Sequence, residues 1–332
     1  MKGSDCLQVQ DILAKDLVGD EWLTEEELRF LMSVTDEEQL QLIYKKAYEV
    51  KVKYVKPVAY YRGLIEFSNR CIKNCNYCGI RRENDKAERF DMNREDIIKM
   101  AQWAYDHEYG SITLQSGERC DDAFVDYVVD LIRDIKAIGD GSLGITMCVG
   151  EQSEEAYRRM REAGASRYLL RIETTNTDLY HKIHPRDELH SFETRVECLR
   201  RLRRVGFQVG TGVMIGLPGQ TEEDLVNDIL FYRDMDIEFL KDVNIAATTA
   251  LQALDKLGRE KGLAAGANIL MPIITIPEHR AKYLLYDNKP CVDDNAEQCK
   301  DCLTRRVMSI GDTVGWKQNG DSKHYGKRTG EF

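Results

Sequence analysis

The chain has 332 residues, 42% hydrophobic and 31% charged, with a formal charge of −10 from 57 acidic against 47 basic side chains. That composition can build a sizeable core, and its acid excess argues against a broad basic face for nucleic acid. No run of about 18 apolar residues occurs, and the opening MKGSDCLQVQDILAKDLVGDEW carries acids where a signal peptide is apolar, so a cytoplasmic setting without membrane spanning is expected.

Residues 1–58 read as an N-terminal helical segment: Thr24 precedes Glu25, Glu26 and Glu27, with Leu28, Leu31 and Met32 at helical spacing. A second helix starts at Asp36 and carries Leu40, Leu42, Ile43, Ala47 and Val50. From 59 to 272 short apolar runs alternate with amphipathic stretches. Strands are expected at GLIEFS (63–68), SITLQ (111–115), LGITMC (143–148), RYLLRI (167–172), QVGTGVMI (208–215), VNIAA (243–247) and ANILM (267–271). Helices are expected over 94–107, 123–138, 153–163, 193–205, 222–235 and 249–265. Repeated strand-then-helix units make an α/β fold with a parallel sheet, here a TIM-type (β/α) barrel whose active site lies at the carboxyl ends of its strands. Only seven strands can be counted, because the seven residues between Met235 and Val243 are too few for another unit. Residues 273–332 read as an irregular C-terminal extension with three cysteines and a frayed polar end.

The chain holds ten cysteines, and without an export signal clustered thiols point to metal or redox chemistry rather than disulfides. Cys71-Ile-Lys-Asn-Cys75-Asn-Tyr-Cys78-Gly79 follows the first barrel strand. Three thiolates on one loop can each bind a different iron of a 4Fe-4S cube, leaving the fourth iron without a protein ligand. An open iron can chelate the amino and carboxylate groups of S-adenosylmethionine, and the cluster's electron then breaks its sulfonium C–S bond to give a 5'-deoxyadenosyl radical. A closed zinc site wants four ligands, and this loop has no fourth Cys or His. The pattern is the radical SAM signature.

A second triad, Cys291-x7-Cys299-x2-Cys302, lies in the extension among Asp293, Asp294, Glu297 and Asp301. It reads as a second iron-sulfur cluster, 2Fe-2S or 4Fe-4S, with a zinc staple or free thiols as the alternatives. Cys6, Cys120, Cys148 and Cys198 read as structural or incidental.

Combined with RGLIEFSNRC (62–71), LQSGE (114–118), RYLLRIET (167–174), GLPGQT (216–221), NIAATTA (244–250), GANILMP (266–272) and the second triad, the loop resembles the HydE family, the radical SAM maturases of iron-iron hydrogenase. The resemblance runs from about Tyr60 to Cys302. It implies S-adenosylmethionine contacts from Tyr77, Gln115, Ser116, Gly117, Glu118, Arg171, Glu173 and Arg195, where a structural salt bridge is the alternative for the charged residues. It implies that Arg62, Thr146, Thr248 and Thr249 hold an anionic substrate group, with helix capping the alternative for the threonine pair. Tyr283 and Tyr286 either close the barrel mouth or pack the extension. The implied substrate is small, organometallic or derived from an amino acid. For this family it is a cysteine-bound iron carbonyl cyanide complex. The implied partners are the tyrosine-cleaving radical SAM maturase, the GTPase scaffold maturase and an electron donor such as ferredoxin or flavodoxin, in an anaerobe.

Other patterns carry less. Gly210-x-Gly212-x3-Gly216 lacks dinucleotide-loop spacing, His181, His184 and His190 lack convergent ligands for a mononuclear metal, and Arg200, Arg201, Arg203 and Arg204 read as a solvated helix face. Biotin synthase-like chemistry would need several inward cysteines, and only Cys148 qualifies, whereas a methylornithine synthase-like enzyme is disfavoured by the second triad. The family places a further strand, loop and helix after the helix near Asp236, whereas this chain runs from 236–239 straight to 240–243. The sixth βα unit, about forty residues against about thirty for an average unit, is missing. An internally deleted enzyme and a non-catalytic iron-sulfur protein are the two consequences to be distinguished.

Overall fold

The computed structural model describes residues 8–17, 21–235 and 243–330. Cys6 and the 236–242 junction, where the missing unit falls, lie outside the described residues. In chain order the elements are α1 (Val9–Ala14), α2 (Glu25–Met32), α3 (Glu37–Tyr54), β1 (Val58–Ser68), α4 (Arg94–Asp106), β2 (Ser111–Ser116), α5 (Asp122–Lys136), β3 (Gly144–Cys148), α6 (Glu154–Glu162), β4 (Arg167–Leu169), α7 (Thr177–Ile183), α8 (Phe192–Val205), β5 (Gln208–Gly210), α9 (Glu222–Asp234), α10 (Thr249–Leu254), α11 (Gly258–Ala264), β6 (Ile269–Leu270), α12 (Pro277–Arg280), α13 (Ala296–Ser309), β7 (Thr313–Val314) and α14 (Lys323–Thr329). Among the described residues no helix is long and apolar enough to cross a membrane.

Helix starts follow local chemistry. Thr24 and Glu27 cap α2 reciprocally, and Asp36, Asn93, Asp121, Ser153 and Ser191 accept the orphan amides of α3, α4, α5, α6 and α8. The strands form one parallel sheet in the order β5-β4-β3-β2-β1-β6, with β7 beside the start of β1. Ile65, Phe67, Ile112, Leu114, Ile145, Met147 and Tyr168 are buried under the helices; Phe67 stacks on Phe124 of α5. Each such side chain contributes on the order of 1.5–3 kcal/mol. Alternation along each strand turns Arg62, Glu66, Thr113, Gln115, Thr146, Cys148 and Arg167 to the opposite, concave face. Register sets Glu66 beside Gln115, Gln115 beside Cys148, and Thr146 beside Arg167.

Among the described residues the expected barrel is open: β5 pairs with β4 alone, and the 243–247 stretch touches the sheet through a single bridge from Ala246 to Ile269. The strand expected at VNIAA is therefore not formed, and those expected over 167–172 and 208–215 shorten to β4 and β5 with an isolated Glu173–Val213 bridge beyond them. A ladder persists only where a neighbour satisfies its amides, and β5 and the 243–247 stretch flank the missing unit, with β4 next to β5. The helix expected over 249–265 breaks into α10 and α11. Asp255 accepts the Leu257 amide at 2.8 Å in a local turn that competes with helix, and a Cβ on Gly258 would stand 2.1 Å from the Leu251 carbonyl oxygen.

Within the described residues the polar end is not frayed. Trp316 packs edge-on against Tyr61 at 5.3 Å, and Tyr325 is buried. The Arg167 side chain, only 2% exposed, donates to Thr146 Oγ1 at 3.0 Å and Asn319 Oδ1 at 2.8 Å and pairs with Asp321. Arg62 Nη2 reaches the Gly320 carbonyl at 3.4 Å, which also accepts from Asn244 Nδ2 at 2.7 Å. Two arginines inside the sheet's concavity require acceptors, and residues 319–321 supply them as a floor.

Candidate functional site

Cys71, Cys75 and Cys78 are free thiols on the loop beyond the carboxyl end of β1. The Glu118 amide donates to Cys71 Sγ at 3.3 Å and the Ile72 amide to the Glu118 carbonyl at 2.9 Å, joining this loop to the one after β2. That approach explains the glycine of LQSGE: a Cβ on Gly117 would lie 2.3 Å from the Arg70 carbonyl oxygen and 2.9 Å from Cys71 Cβ. Gly79 is held likewise, 1.9 Å being the distance its Cβ would leave to the Leu284 oxygen. Burial pushes Cys75 up to about 12 and Cys78 up to about 11, while the Ile80 amide favours the Cys78 thiolate. Such thiols release their protons to a metal, not to water. Among the described residues no three His, Cys, Asp or Glu side chains converge on one point as a single ion requires. Three enclosed thiols with amide donors, and no fourth thiol in the loop, suit a cube held by three thiolates.

Beside the loop, Tyr77 Oη donates to Glu173 Oε1 at 3.1 Å, and Arg171 pairs with the same oxygen at 3.1 Å. Glu173 stands at φ 69, a left-handed conformation that costs a side-chain-bearing residue energy and commonly marks a site. Its Oε2 is buried without a hydrogen-bond partner, an acceptor suited to a ligand's ammonium group. Arg171, held charged chiefly by Glu173, keeps a side chain 47% exposed in the concavity.

Arg195 and Glu118 belong to a second network that includes two residues missed in the sequence. Lys73 lies 3.2 Å from Glu118 and 2.8 Å from Glu151, and Arg195 Nε lies 2.5 Å from Glu151 while Nη1 donates to the Arg171 carbonyl at 2.9 Å. Burial opposes the charge of Lys73, but its two carboxylates prevail and raise it; Glu118 is raised by burial and by Glu151. The salt-bridge alternative thus describes Glu118 and Arg195 as they stand. Glu151 was detectable as a glutamate just after the third strand, as Glu118 and Glu173 follow the second and fourth; Lys73 lies between the first two cysteines. Two of the histidines pack against the cysteine loop. His190 Nε2 accepts the Asn74 amide at 2.9 Å with Nδ1 on Asp187 at 2.5 Å, and burial lowers His184 to about 4 beside Tyr180 and Tyr77.

Deeper in the concavity, Gln115 donates to Tyr283 Oη at 3.3 Å, and Ser116 Oγ to the Gly117 carbonyl at 2.7 Å. Lys289 reaches Glu66 Oε1 at 2.6 Å. Arg62 and Thr146 share the floor with Arg167, which the sequence reading missed because a strand-starting arginine has no signature of its own. Thr248 stands at the N-cap of α10 without a side-chain capping bond, so the capping alternative fails for it; Thr248 is exposed and Thr249 half-buried. Tyr283 is buried, and Tyr286 is partly so.

In the extension, α13 presents Cys299, buried, and Cys302 one turn later. Cys291, at φ 64, shares a hydrogen bond with Cys299 that lowers the latter, and Arg306 bonds Cys302. Cys120 is exposed and Cys198 is buried on α8, its thiol 3.8 Å from the Gln152 carbonyl. Arg201 and Arg204 pair with Glu197, and Arg204 with Glu154, as a solvated face should.

The Radical SAM superfamily model matches residues 65–232. The chain is 36% identical over 328 residues to the FeFe hydrogenase maturase subunit HydE of Thermotoga maritima, spanning 88% of this chain and 92% of that one. Since 88% of 332 residues is about 292, about 36 aligned positions have no residue here, on the order of one βα unit. The fold is similar to that of methylornithine synthase (TM-score 0.77, 21% identity, 92% of this chain and 98% of that one). It is also similar to HydG, a maturase of the FeFe-hydrogenase (TM-score 0.74, 19% identity, 92% and 75%).

Proposed function

The chain belongs to the radical SAM superfamily and within it to the HydE maturases, and from that premise we propose how its own residues serve S-adenosylmethionine cleavage in assembly of the hydrogenase diiron subsite. The carrying observation is the junction of the two loops, where Glu118's amide meets Cys71 at 3.3 Å and Gly117 leaves no room for a side chain. Cys71, Cys75 and Cys78 would hold the 4Fe-4S cluster, which, loaded with S-adenosylmethionine and reduced, supplies the electron that breaks the sulfonium C–S bond. Glu173 would offer its unpartnered Oε2 to the cofactor's ammonium, and Arg171 and Arg195 would take its carboxylate. Tyr77 steadies Glu173 through the bond to Oε1. Gln115 and Ser116 line the wall, and Gly117 with the Glu118 amide keeps the cofactor's loop against the cluster's. The Lys73–Glu118–Glu151–Arg195 network excludes water and fixes Arg195 without spending its second nitrogen arm on a carboxylate.

Arg62 and Thr146, with Arg167, would receive the anionic part of a small organometallic substrate at the floor, and Thr248 and Thr249 would contact it from the edge beyond the missing unit. Cys291, Cys299 and Cys302 would hold an accessory iron-sulfur centre. The partners by family are the tyrosine-cleaving radical SAM maturase, the GTPase scaffold and a ferredoxin or flavodoxin donor in an anaerobic cytoplasm. The test is anaerobic reconstitution, reduction with S-adenosylmethionine and measurement of 5'-deoxyadenosine. Product above a Cys71→Ala control is expected. None, with a fully loaded cluster, would overturn the catalytic reading.

A further inference from the structure

Arg259 on α11 is 2% exposed. Among the described residues no carboxylate lies within 4 Å of its guanidinium, and its enclosed Nε has no hydrogen-bond partner. Arg306 on α13 pairs with Glu260 at 2.6 Å, so the carboxylate next to Arg259 in sequence is already engaged. Arg280, fully buried, lies close by and is satisfied by three carbonyls, those of Thr275 at 2.5 Å, Ile273 at 2.7 Å and Cys291 at 3.2 Å, none of which neutralises it. Arg280 also feels the carboxylates of Glu66 and Asp294 at longer range, whereas Arg259 stands with no carboxylate at ion-pairing distance among the described residues, an arrangement that proteins avoid unless another anion is provided.

The residues they flank are the thiols of the extension. α11 packs against α13, which carries Cys299 and Cys302, so the buried Arg259 lies within electrostatic reach of Cys291 and Cys299, and Arg280 donates to the Cys291 carbonyl at 3.2 Å on the same side. Neutral thiols would leave Arg259 uncompensated. Thiolates bound to a metal would supply the missing anion, and a centre that gains negative charge on reduction would feel the two guanidinium groups most in its reduced state.

We propose that Arg259 is the buried counter-cation of an anionic iron–thiolate centre on Cys291, Cys299 and Cys302, holding that centre in place and raising its reduction potential. The proposal rests on the accessory-centre reading above and adds to it the residue that fixes the centre's charge state. Arg259 is a positioning residue, acting on the centre through charge and not as a ligand.

The experiment uses the full chain carrying Cys71→Ala, Cys75→Ala and Cys78→Ala, so that iron and sulfide report the extension alone. Iron is counted after anaerobic reconstitution, the potential is read by spectroelectrochemical titration, and iron release to a chelator is timed. Arg259→Met is expected to make reduction at least about tenfold less favourable, about 59 mV for one electron, and to speed iron release at least about tenfold. Arg259→Lys, which keeps the charge, is expected to hold the potential within half of that shift. Equal potentials and release rates in the parent and in Arg259→Met overturn the proposal and leave the accessory centre standing. Should Arg259→Met fail to fold, a full tenfold shift in Arg259→Lys overturns the charge argument by itself. A parent that binds no iron, or binds zinc instead, overturns this proposal and the accessory-centre reading together.

Discussion

Gly117→Ala tests whether the contact between the two loops, and not the cysteines alone, organises the site. A Cβ at this position meets the Arg70 carbonyl oxygen at 2.3 Å, its carbon at 2.7 Å and Cys71 Cβ at 2.9 Å, and two of the three are backbone atoms that cannot rotate aside. Ordinary contact requires separation by roughly 1 Å more than the folded loops allow. Moving the loops apart by that amount stretches the 2.9 Å bond from the Ile72 amide to the Glu118 carbonyl and the 3.3 Å bond from the Glu118 amide to Cys71 beyond hydrogen-bonding range. Each lost bond costs about 1 kcal/mol of stability, which the domain can absorb. The functional cost is larger, because a misplacement of about 1 Å at a reacting centre is worth on the order of a hundredfold in rate. The assay compares Gly117→Ala with the parent after identical anaerobic reconstitution, by iron content, the change in the reduced cluster's EPR signal on adding S-adenosylmethionine, and the rate of 5'-deoxyadenosine formation. Expected are near-parental iron, a weakened response to S-adenosylmethionine and a rate down about a hundredfold. A variant that matches the parent in the EPR response and the rate would refute the coupling of the loops.

His184, lowered from its usual range to about 4 by burial, is neutral in the folded chain and charges on unfolding, so the unfolded state binds more protons between pH 6.5 and 4 and stability falls as pH drops through that window. Urea unfolding should show about 2 kcal/mol lost between pH 7 and pH 5, and His184→Phe should flatten that dependence; an unchanged slope would remove His184 as its source. Asp312→Ala should destabilise the apoprotein by about 3–5 kcal/mol, since it strands Lys51, whose side chain is 2% exposed, and takes the acceptor from Tyr48 Oη at 2.5 Å. A loss under about 1 kcal/mol by chemical denaturation would contradict the buried pair's role. Asp321→Ala should free the 316–330 floor to early proteolysis by uncompensating Arg167, and an unchanged digestion pattern would count against the floor.

The local chemistry of this chain was written in its sequence. Cys71, Cys75 and Cys78 sit on one short loop, Glu118 and Glu173 follow strands, and the caps of α2 and α3 are spelled out by Thr24 and Asp36, because each of these depends on neighbours within a few residues. The alternation of apolar runs likewise announced a parallel sheet, and counting those runs showed it one unit short. What could not be read is what depends on distant partners. Lys73 and Glu151, 78 residues apart, become one network only when the loops after β1 and β3 meet. Arg167 had no visible acceptor until residues 319–321 returned beneath the sheet, which turned a tail that looked frayed into a floor. The strands flanking the missing unit also ended sooner than their composition implied. Residue type sets a strand's preference, but a ladder's length is set by the neighbour that satisfies its amides, and that neighbour is a property of the fold.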